Sequence, residues 1–357
     1  MPAAVSVVVV GSSPLGDDDP VLDTARGLAA RLGGRYDIVV PSAGVPAGPL
    51  ERDPVYLHRF AAPDRLRYLA AARRVVDRVS PAAGAVLMSS DPLAAVAVEL
   101  SSARRRLPHL FQLQGEVVRP GPEYGSRLKR YTLGAATRAA LRRATGVRVV
   151  SDGLRAAVAP FATGPVAAIG SRVDTSRFRP DAKACGCTVL IAGNLLPVKN
   201  HAVVCRAWPG VLEQVPAARL VIAGDGPLKP PVGDGSIVLA GRVPPHEMPA
   251  LLASARCLAH PSWSEGRPRA VLEAMACGVP VLCSDIPAHR EIVTPATGRL
   301  LPPGDPAAWT AAIVALLRDP DGAAAMGRAA RDDVVKRFEQ EANLDRYAEF
   351  IRRLAGT

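Results

Sequence analysis

Short runs rich in Val, Ile and Leu recur along the chain. They are VSVVVV (5–10), YDIVV (36–40), GAVLMSS (84–90), HLFQLQ (109–114) and GVRVVS (146–151). A second series follows as TVLIAG (188–193), RLVIAG (219–224), SIVLAG (236–241), CLAHPS (257–262) and VPVLCSD (279–285). Ala/Leu/Arg-rich segments of helical period separate them. Strands buried on both faces read as continuous apolar runs, and strands alternating with helices build parallel sheets. The pattern predicts an α/β protein with two doubly wound, Rossmann-like sheets in succession. The break falls in the polar, Gly/Pro-marked stretch GPVAAIGSRVDTSRFRPDAKACGC (164–187), which predicts an N-terminal domain over 1–168 and a C-terminal domain over 169–335. The final segment of helical period, AAMGRAARDDVVKRFEQEANLDRYAEFIRRLAG (324–356), predicts a closing helix over 336–357.

Composition agrees with two globular domains. At 357 residues the chain exceeds the size at which one core stops growing, and 48% apolar against 22% charged residues is an ordinary soluble balance. No apolar run reaches the ~18 residues of a membrane span. The opening run VSVVVV lacks a basic leader and runs into a Gly/Ser turn, as a buried first strand does, so a cytoplasmic protein is expected. Six cysteines, Cys185, Cys187, Cys205, Cys257, Cys277 and Cys283, lack the spacing of a zinc site or redox pair and read as reduced packing residues.

Charge adds one asymmetry. The net charge is +11, of which residues 1–168 carry +8 and the remainder +3. Basic surfaces meet nucleic acid, anionic membranes or phosphorylated ligands. With 4% aromatic residues and no helix-turn-helix, RRM or zinc-finger pattern, nucleic acid is not an expected partner. In the basic segment GSRLKRYTLGAATRAALRRATG (125–146), Arg127, Arg130, Arg138 and Arg142 fall on one helical face. That face is either solvated, the simpler reading, or a peripheral contact with anionic lipid at the inner face of a membrane.

The chemistry concentrates in HPSWSEGRPRAVLEAMACGVPVLCSD (260–285), where Glu265 and Glu273 stand eight residues apart. Glu265 falls in a strand-to-helix loop, and the amides around Gly266 and Arg267 at a helix start suit a phosphate. Glu273, in the second helical turn among apolar neighbours, can accept two hydrogen bonds from vicinal hydroxyls. After the first strand, Gly11 and Ser12 form a turn at the carboxyl end of the sheet, where ligands of such folds bind. Asp17, Asp18 and Asp19 read as a solvated loop, since three consecutive acids cannot all face one ion.

PSWSEGRPRAVLEAMACGVPVLCSD resembles the signature of the retaining glycosyltransferases of family 4, with its two glutamates separated by seven residues. The likeness extends through IGSRVDTSRFRP, VLIAGNLLPVKNHAVV, RLVIAGDGPL, SIVLAGRV and HREIVTPATGRLLPPGDPAAWTAAIVALL. It implies the GT-B architecture: two Rossmann-like domains, an interdomain cleft, and a C-terminal helix packing back on the N-domain. It also implies site residues. Glu273 would grip the ribose of a nucleoside diphosphate and Glu265 the donor sugar. Gly266, Arg267 and Pro268 would turn beside the diphosphate, and Lys199 would lie on its oxygens. Val238 and Arg242 would frame the base. Gly11, Ser12 and Gln114 would lie on the acceptor side of the cleft.

Two positions depart from the family pattern: Asn194 stands where an Arg is usual, and Gln114 where a His is usual, which leaves His109 as a structural residue at the start of its strand. The implied function is transfer of a sugar from a nucleoside diphosphate, commonly UDP, to an acceptor hydroxyl with retention. Neither metal nor cofactor is implied, and the acceptor is small or lipid-linked. The alternatives are a nucleotide-sugar 2-epimerase of the same architecture and a nucleotide-sugar-binding partner without turnover.

Overall fold

The computed structural model describes residues 3–15, 20–42, 49–52, 54–79, 84–115, 117–121, 125–170, 172–181, 186–230, 235–266 and 268–356. The chain divides into two compact units, Met1–Gly170 with Glu341–Thr357, and Ser171–Gln340. Both are α/β with parallel sheets.

Unit 1 runs β1 (Val5–Val10), α1 (Pro20–Leu32), β2 (Gly33–Pro41), β3 (Pro49–Arg52), β4 (Val55–Phe60), α2 (Arg65–Val79), β5 (Val86–Ser89) and α3 (Pro92–Leu100). It continues through β6 (His109–Leu113), α4 (Arg127–Arg143), β7 (Gly146–Val149), α5 (Asp152–Val158) and β8 (Val166–Ala168). The sheet order is β3-β4-β2-β1-β5-β6-β7-β8, parallel except for the antiparallel edge strand β3. The apolar runs do occupy its centre: all of β6 and β7 is buried. The strands VYLHRF and VAA have less continuous apolar character, and β3 and β4 were not evident from the pattern.

Unit 2 runs β9 (Thr188–Ala192), α6 (His201–Gln214), β10 (Arg219–Ala223), β11 (Ile237–Gly241), α7 (Met248–Ala253), β12 (Cys257–His260) and α8 (Arg269–Ala276). It ends with β13 (Val281–Ser284), α9 (Pro287–Arg290), β14 (Gly298–Leu301), α10 (Pro306–Arg318) and α11 (Pro320–Phe338). Its six strands order as β11-β10-β9-β12-β13-β14, with every pair parallel. Trp208 and Trp309 fill one side of this sheet, and Met275 and Leu272 of α8 the other.

The terminal segment of helical period is two helices. α11 stops at Glu339, whose extended backbone (φ −60°, ψ 143°) turns the chain into α12 (Gln340–Ala355). Val173 pairs with Glu339, so the chain's exit from unit 1 and its return lie side by side. α12 then buries Leu344, Tyr347, Ala348, Phe350 and Ile351 in the core of unit 1 beside Leu28 and Ile38. The described cysteines are free thiols, and Cys205, Cys257, Cys277 and Cys283 are buried; Cys185 lies outside the described residues.

Candidate active site

In each sheet the connections run outward in both directions from one crevice, between β1 and β5 in unit 1 and between β9 and β12 in unit 2. Loops at the carboxyl ends of such strands diverge and leave room for a ligand. The sequence-predicted residues of unit 2 lie around its crevice.

Two loops are pulled together there. Asn200, the only non-glycine with positive φ (+51°) among the described residues, sits between the 3₁₀ turn Pro197–Lys199 and α6. Asn tolerates this left-handed conformation better than most side chains. Its amide Nδ2 donates to the carbonyls of Pro261 (3.1 Å) and Pro303 (2.7 Å), and the Trp263 amide donates to Val198 O at 2.8 Å. The loop carrying Lys199 is thereby tied to the loop carrying Glu265.

The tie brings three side chains onto one atom. Glu265 Oε1 accepts from Lys199 Nζ at 2.6 Å, Ser262 Oγ at 2.7 Å and His260 Nε2 at 3.0 Å. Burial alone would raise the pKa of this carboxyl. The His260 hydrogen bond and the Lys199 ammonium outweigh burial and hold it far below the ordinary carboxylate range. Behind His260, the His289 ring meets it edge-on at 5.4 Å and gives Nδ1–H to the Ser284 carbonyl at 2.7 Å. Burial, reinforced by His260, pushes His289 down to about 4. His201 is likewise pushed down to about 4 by burial, with His260 and Lys199 adding to it. Among the described residues His289 Nε2, His201 Nδ1 and Ser284 Oγ are buried without a hydrogen-bond partner.

Glu273 lies on α8 and is treated differently. Its neighbours Val271, Leu272, Ala274, Met275 and Ala276 are buried, and burial pushes its carboxyl up, against a smaller opposing pull from Arg269 and Arg177. Its closest charge is Arg269 Nη2 at 3.7 Å, and among the described residues the carboxylate takes no hydrogen bond. It is a charge with acceptor capacity to spare. Pro268 precedes α8 and supplies no side-chain cap, so the first-turn amides remain open donors. Gly266 is buried beside them; Arg267 lies outside the described residues.

Of the remaining positions, Asn194 and Arg242 follow strand ends and Val238 lies inside a strand. Asn194 is exposed after β9, where the loop backbones of Gly193 and Gly224 approach so closely that a Cβ on Gly224 would lie 1.9 Å from the Gly193 oxygen. Val238, 40% accessible, lies on the edge strand β11, and Arg242 is exposed just beyond it.

In unit 1, Gly11 follows β1 and its carbonyl accepts the buried Tyr68 hydroxyl at 3.0 Å. The Ser12 amide donates to Asp91 Oδ2 at 3.0 Å, while Asp91 Oδ1 caps α3. Gln114 is exposed just after β6, whereas His109 at the start of that strand is fully buried between Ser89 Oγ and Glu99, each at 2.8 Å. The basic face of α4 differs from the helical projection. Arg127 and Arg142 are exposed, but Arg138 Nη1 donates to Val118 O at 2.9 Å and Arg130 is half-buried. The reason is that α4 packs on α3 and under the 117–120 loop, so its outward direction is rotated from the arginine stripe.

Sequence reasoning passed over His260, Ser262, Asn200 and His289. A polar residue ending the otherwise apolar run CLAH, five before Glu265, was the available sign for the first. For the others, which join loops far apart in sequence, there was none. Among the described residues no three His, Cys, Asp or Glu side chains converge as a metal-ligand set, and Asp17, Asp18 and Asp19 lie outside them.

Known proteins now bear on this arrangement. The family model "Glycosyl transferase 4-like domain" matches residues 20–168, and "Glycosyl transferases group 1" matches 186–319. The chain belongs to the family 4 glycosyltransferases of GT-B architecture. It is 33% identical over 206 residues to the GDP-mannose-dependent alpha-(1-6)-phosphatidylinositol monomannoside mannosyltransferase of Mycolicibacterium smegmatis, covering 50% of this chain and 54% of that enzyme. It is 42% identical over 86 residues to the O-antigen chain mannosyltransferase B of Escherichia coli, covering 24% and 22%. The chain thus spans about half the length, or less, of these curated relatives. Sucrose-phosphate synthase from Thermosynechococcus elongatus shares the fold, with a TM-score of 0.81 at 20% identity over 98% of this chain and 99% of that one.

Proposed function

We propose that the protein transfers a hexosyl group from a nucleoside diphosphate to an acceptor hydroxyl, with retention at the anomeric carbon. The observation that carries this reading is the contrast between two carboxylates on one loop and helix. Glu265 is fixed and ionised by three donors, and Glu273 is half-buried with acceptor sites open. Glu273 takes the two ribose hydroxyls. The open amides of α8, with Gly266 and Pro268, face the diphosphate, and Lys199 moves from Glu265 onto its oxygens. Glu265, still held by His260 and Ser262, accepts from the donor sugar.

As the glycosidic bond breaks, negative charge grows on the leaving diphosphate. Lys199 and the helix start stabilise it, and the leaving oxygens take the acceptor proton. Asn194 supplies a neutral amide at a position where an arginine would share this charge. Val238 and Arg242 border the base. The name of the Mycolicibacterium relative supports a GDP-linked mannose as donor and a lipid-linked acceptor, and UDP-linked hexoses are the other donor class.

A thermal-shift and calorimetric panel of GDP-mannose, UDP-glucose and the free nucleotides tests the reading. Stabilisation by one nucleoside diphosphate sugar, followed by transfer to an added acceptor with unchanged anomeric configuration by NMR, is expected. An epimer accumulating from donor alone would identify an isomerase, and binding without any turnover across an acceptor panel a non-catalytic protein.

A further inference from the structure

Unit 1 carries a feature that donor binding does not use. Among the described residues, the three most exposed large apolar side chains are Leu66 at 79%, Leu128 at 73% and Tyr131 at 70%, with the next at 52%. Single exposed leucines are ordinary; three gathered in one region are not. The topology gathers them. Leu66 is in the first turn of α2, and Leu128 and Tyr131 are in the first two turns of α4. α2 follows β4 and α4 follows β6, and these strands belong to the parallel part of one sheet, so both helices start along its carboxyl edge. α3 packs on both α2 and α4, which puts all three on one face. Two interhelix spacings set the two helix starts on the order of 20 Å apart.

Each apolar tip stands among cations. Arg65 and Arg67 flank Leu66; Arg127 and Lys129 flank Leu128, and Arg130 precedes Tyr131. Neither helix has an acid in its first turn, and the acid before α2, Asp64, is paired with Arg67 at 3.5 Å. Cations at a helix start oppose the positive end of the helix dipole, so within the unit they are placed against their local electrostatics. An external anionic surface reverses that sign.

We propose that this rim docks on an anionic lipid bilayer, with Leu66, Leu128 and Tyr131 entering the boundary between headgroups and acyl chains and the flanking cations meeting lipid phosphates. A bilayer fits better than a protein partner because the apolar groups are separated tips, whereas a protein interface buries a contiguous core. Tyr131 also has the amphipathic character that settles at headgroup depth. The footing shares Arg127 and Arg130 with the arginine stripe and leaves out Arg138, which is turned inward to Val118 O.

Flotation of the whole protein with vesicles of equal parts phosphatidylcholine and phosphatidylglycerol tests it, with pure phosphatidylcholine vesicles for contrast. Binding to the anionic vesicles that falls with salt is expected, with little binding to the neutral ones. Replacing Leu66, Leu128 and Tyr131 together by Ser should lower partitioning at least ~100-fold without changing the melting temperature. Each of Arg127→Gln and Lys129→Gln should lower it roughly fivefold. Absence of flotation with anionic vesicles at low salt would overturn the proposal. So would flotation indifferent to the triple variant, or a dimer broken by that variant in a protein that ignores vesicles. Nucleotide affinity, measured on the same samples, separates failure of the footing from failure of the transferase reading.

Discussion

In unit 1 the buried Arg148 gives Nη1 to Gln112 Oε1 at 3.0 Å and Nε to the Ile169 carbonyl at 3.0 Å, and its guanidinium lies 4.6 Å over the Tyr347 ring. Tyr347 completes the group by donating to the same Gln112 oxygen at 2.6 Å. In unit 2 three donors crowd one oxygen of Glu265, while His289 Nε2, His201 Nδ1 and Ser284 Oγ nearby are left without partners. Eight residues on, Glu273 is half-buried with acceptor capacity unspent. The first cluster closes on itself and joins α12 to β6 and β7. The second keeps open ends, each of which costs stability. The first group is finished within the fold and the second is not.

The largest expected test of this contrast is acid. His201 and His289 titrate near 4 in the folded protein against about 6.5 when unfolded, so the unfolded chain binds protons first. Their stabilising contribution is complete above pH 6.5 and is lost as pH falls towards 4, of order 2 to 3 kcal/mol for each ring. His109, also held down by burial, adds in the same direction. Urea unfolding at pH 7 and pH 4.5 measures it, and a midpoint unchanged across that window would mean these rings carry a proton in the fold.

Next comes Lys199→Ala, expected to cost at least ~3 kcal/mol in the transition state, about a hundredfold in turnover, because the charge it meets grows during the reaction. Asn194→Arg should restore part of the loss by supplying a planar donor fork. Near-normal turnover in Lys199→Ala would show that another cation balances the diphosphate.

Glu273→Gln should weaken nucleotide binding by about 1.5 to 3 kcal/mol, the value of a charge-assisted hydrogen bond. The same change should raise the melting temperature of the ligand-free protein. Burial raises this carboxyl's pKa, so its ionisation costs stability as pH rises, and glutamine removes the cost. A fall in both quantities would contradict the open-ended reading.

The smallest effect belongs to the closed cluster. Tyr347→Phe should cost about 1 kcal/mol of stability in denaturant unfolding and leave nucleotide affinity and turnover unchanged.

What could be read beforehand follows the same division. Continuous runs such as HLFQLQ and TVLIAG announced buried parallel strands because burial on both faces leaves no room for alternation. VYLHRF did not, since Tyr56 and His58 lie half-buried near the edge of the sheet and break the run. Glu265 was legible as a charge in a glycine-marked loop and Glu273 as a charge among apolar helical neighbours, while Lys199 was legible only through the family resemblance. His260, Asn200 and His289 were not, because their roles exist only once Pro261, Pro303 and Ser284 are brought beside them by strand order. The break at Glu339 was hidden for a related reason. Its neighbours have helical period on both sides, and the turn is set by pairing with Val173, far back in the sequence.

That break bears on how the chain is made. α12 supplies core residues to unit 1, yet it is synthesised only after the whole of unit 2. Translation ordinarily lets the first domain fold first. Here the ribosome delivers β1 to β8 early, with the seat of Leu344, Tyr347 and Ile351 still vacant and Gln112 and Arg148 lacking the Tyr347 hydroxyl and ring. The second-made unit is therefore the first whose sequence is complete. The earlier one has its core completed only when α12 arrives.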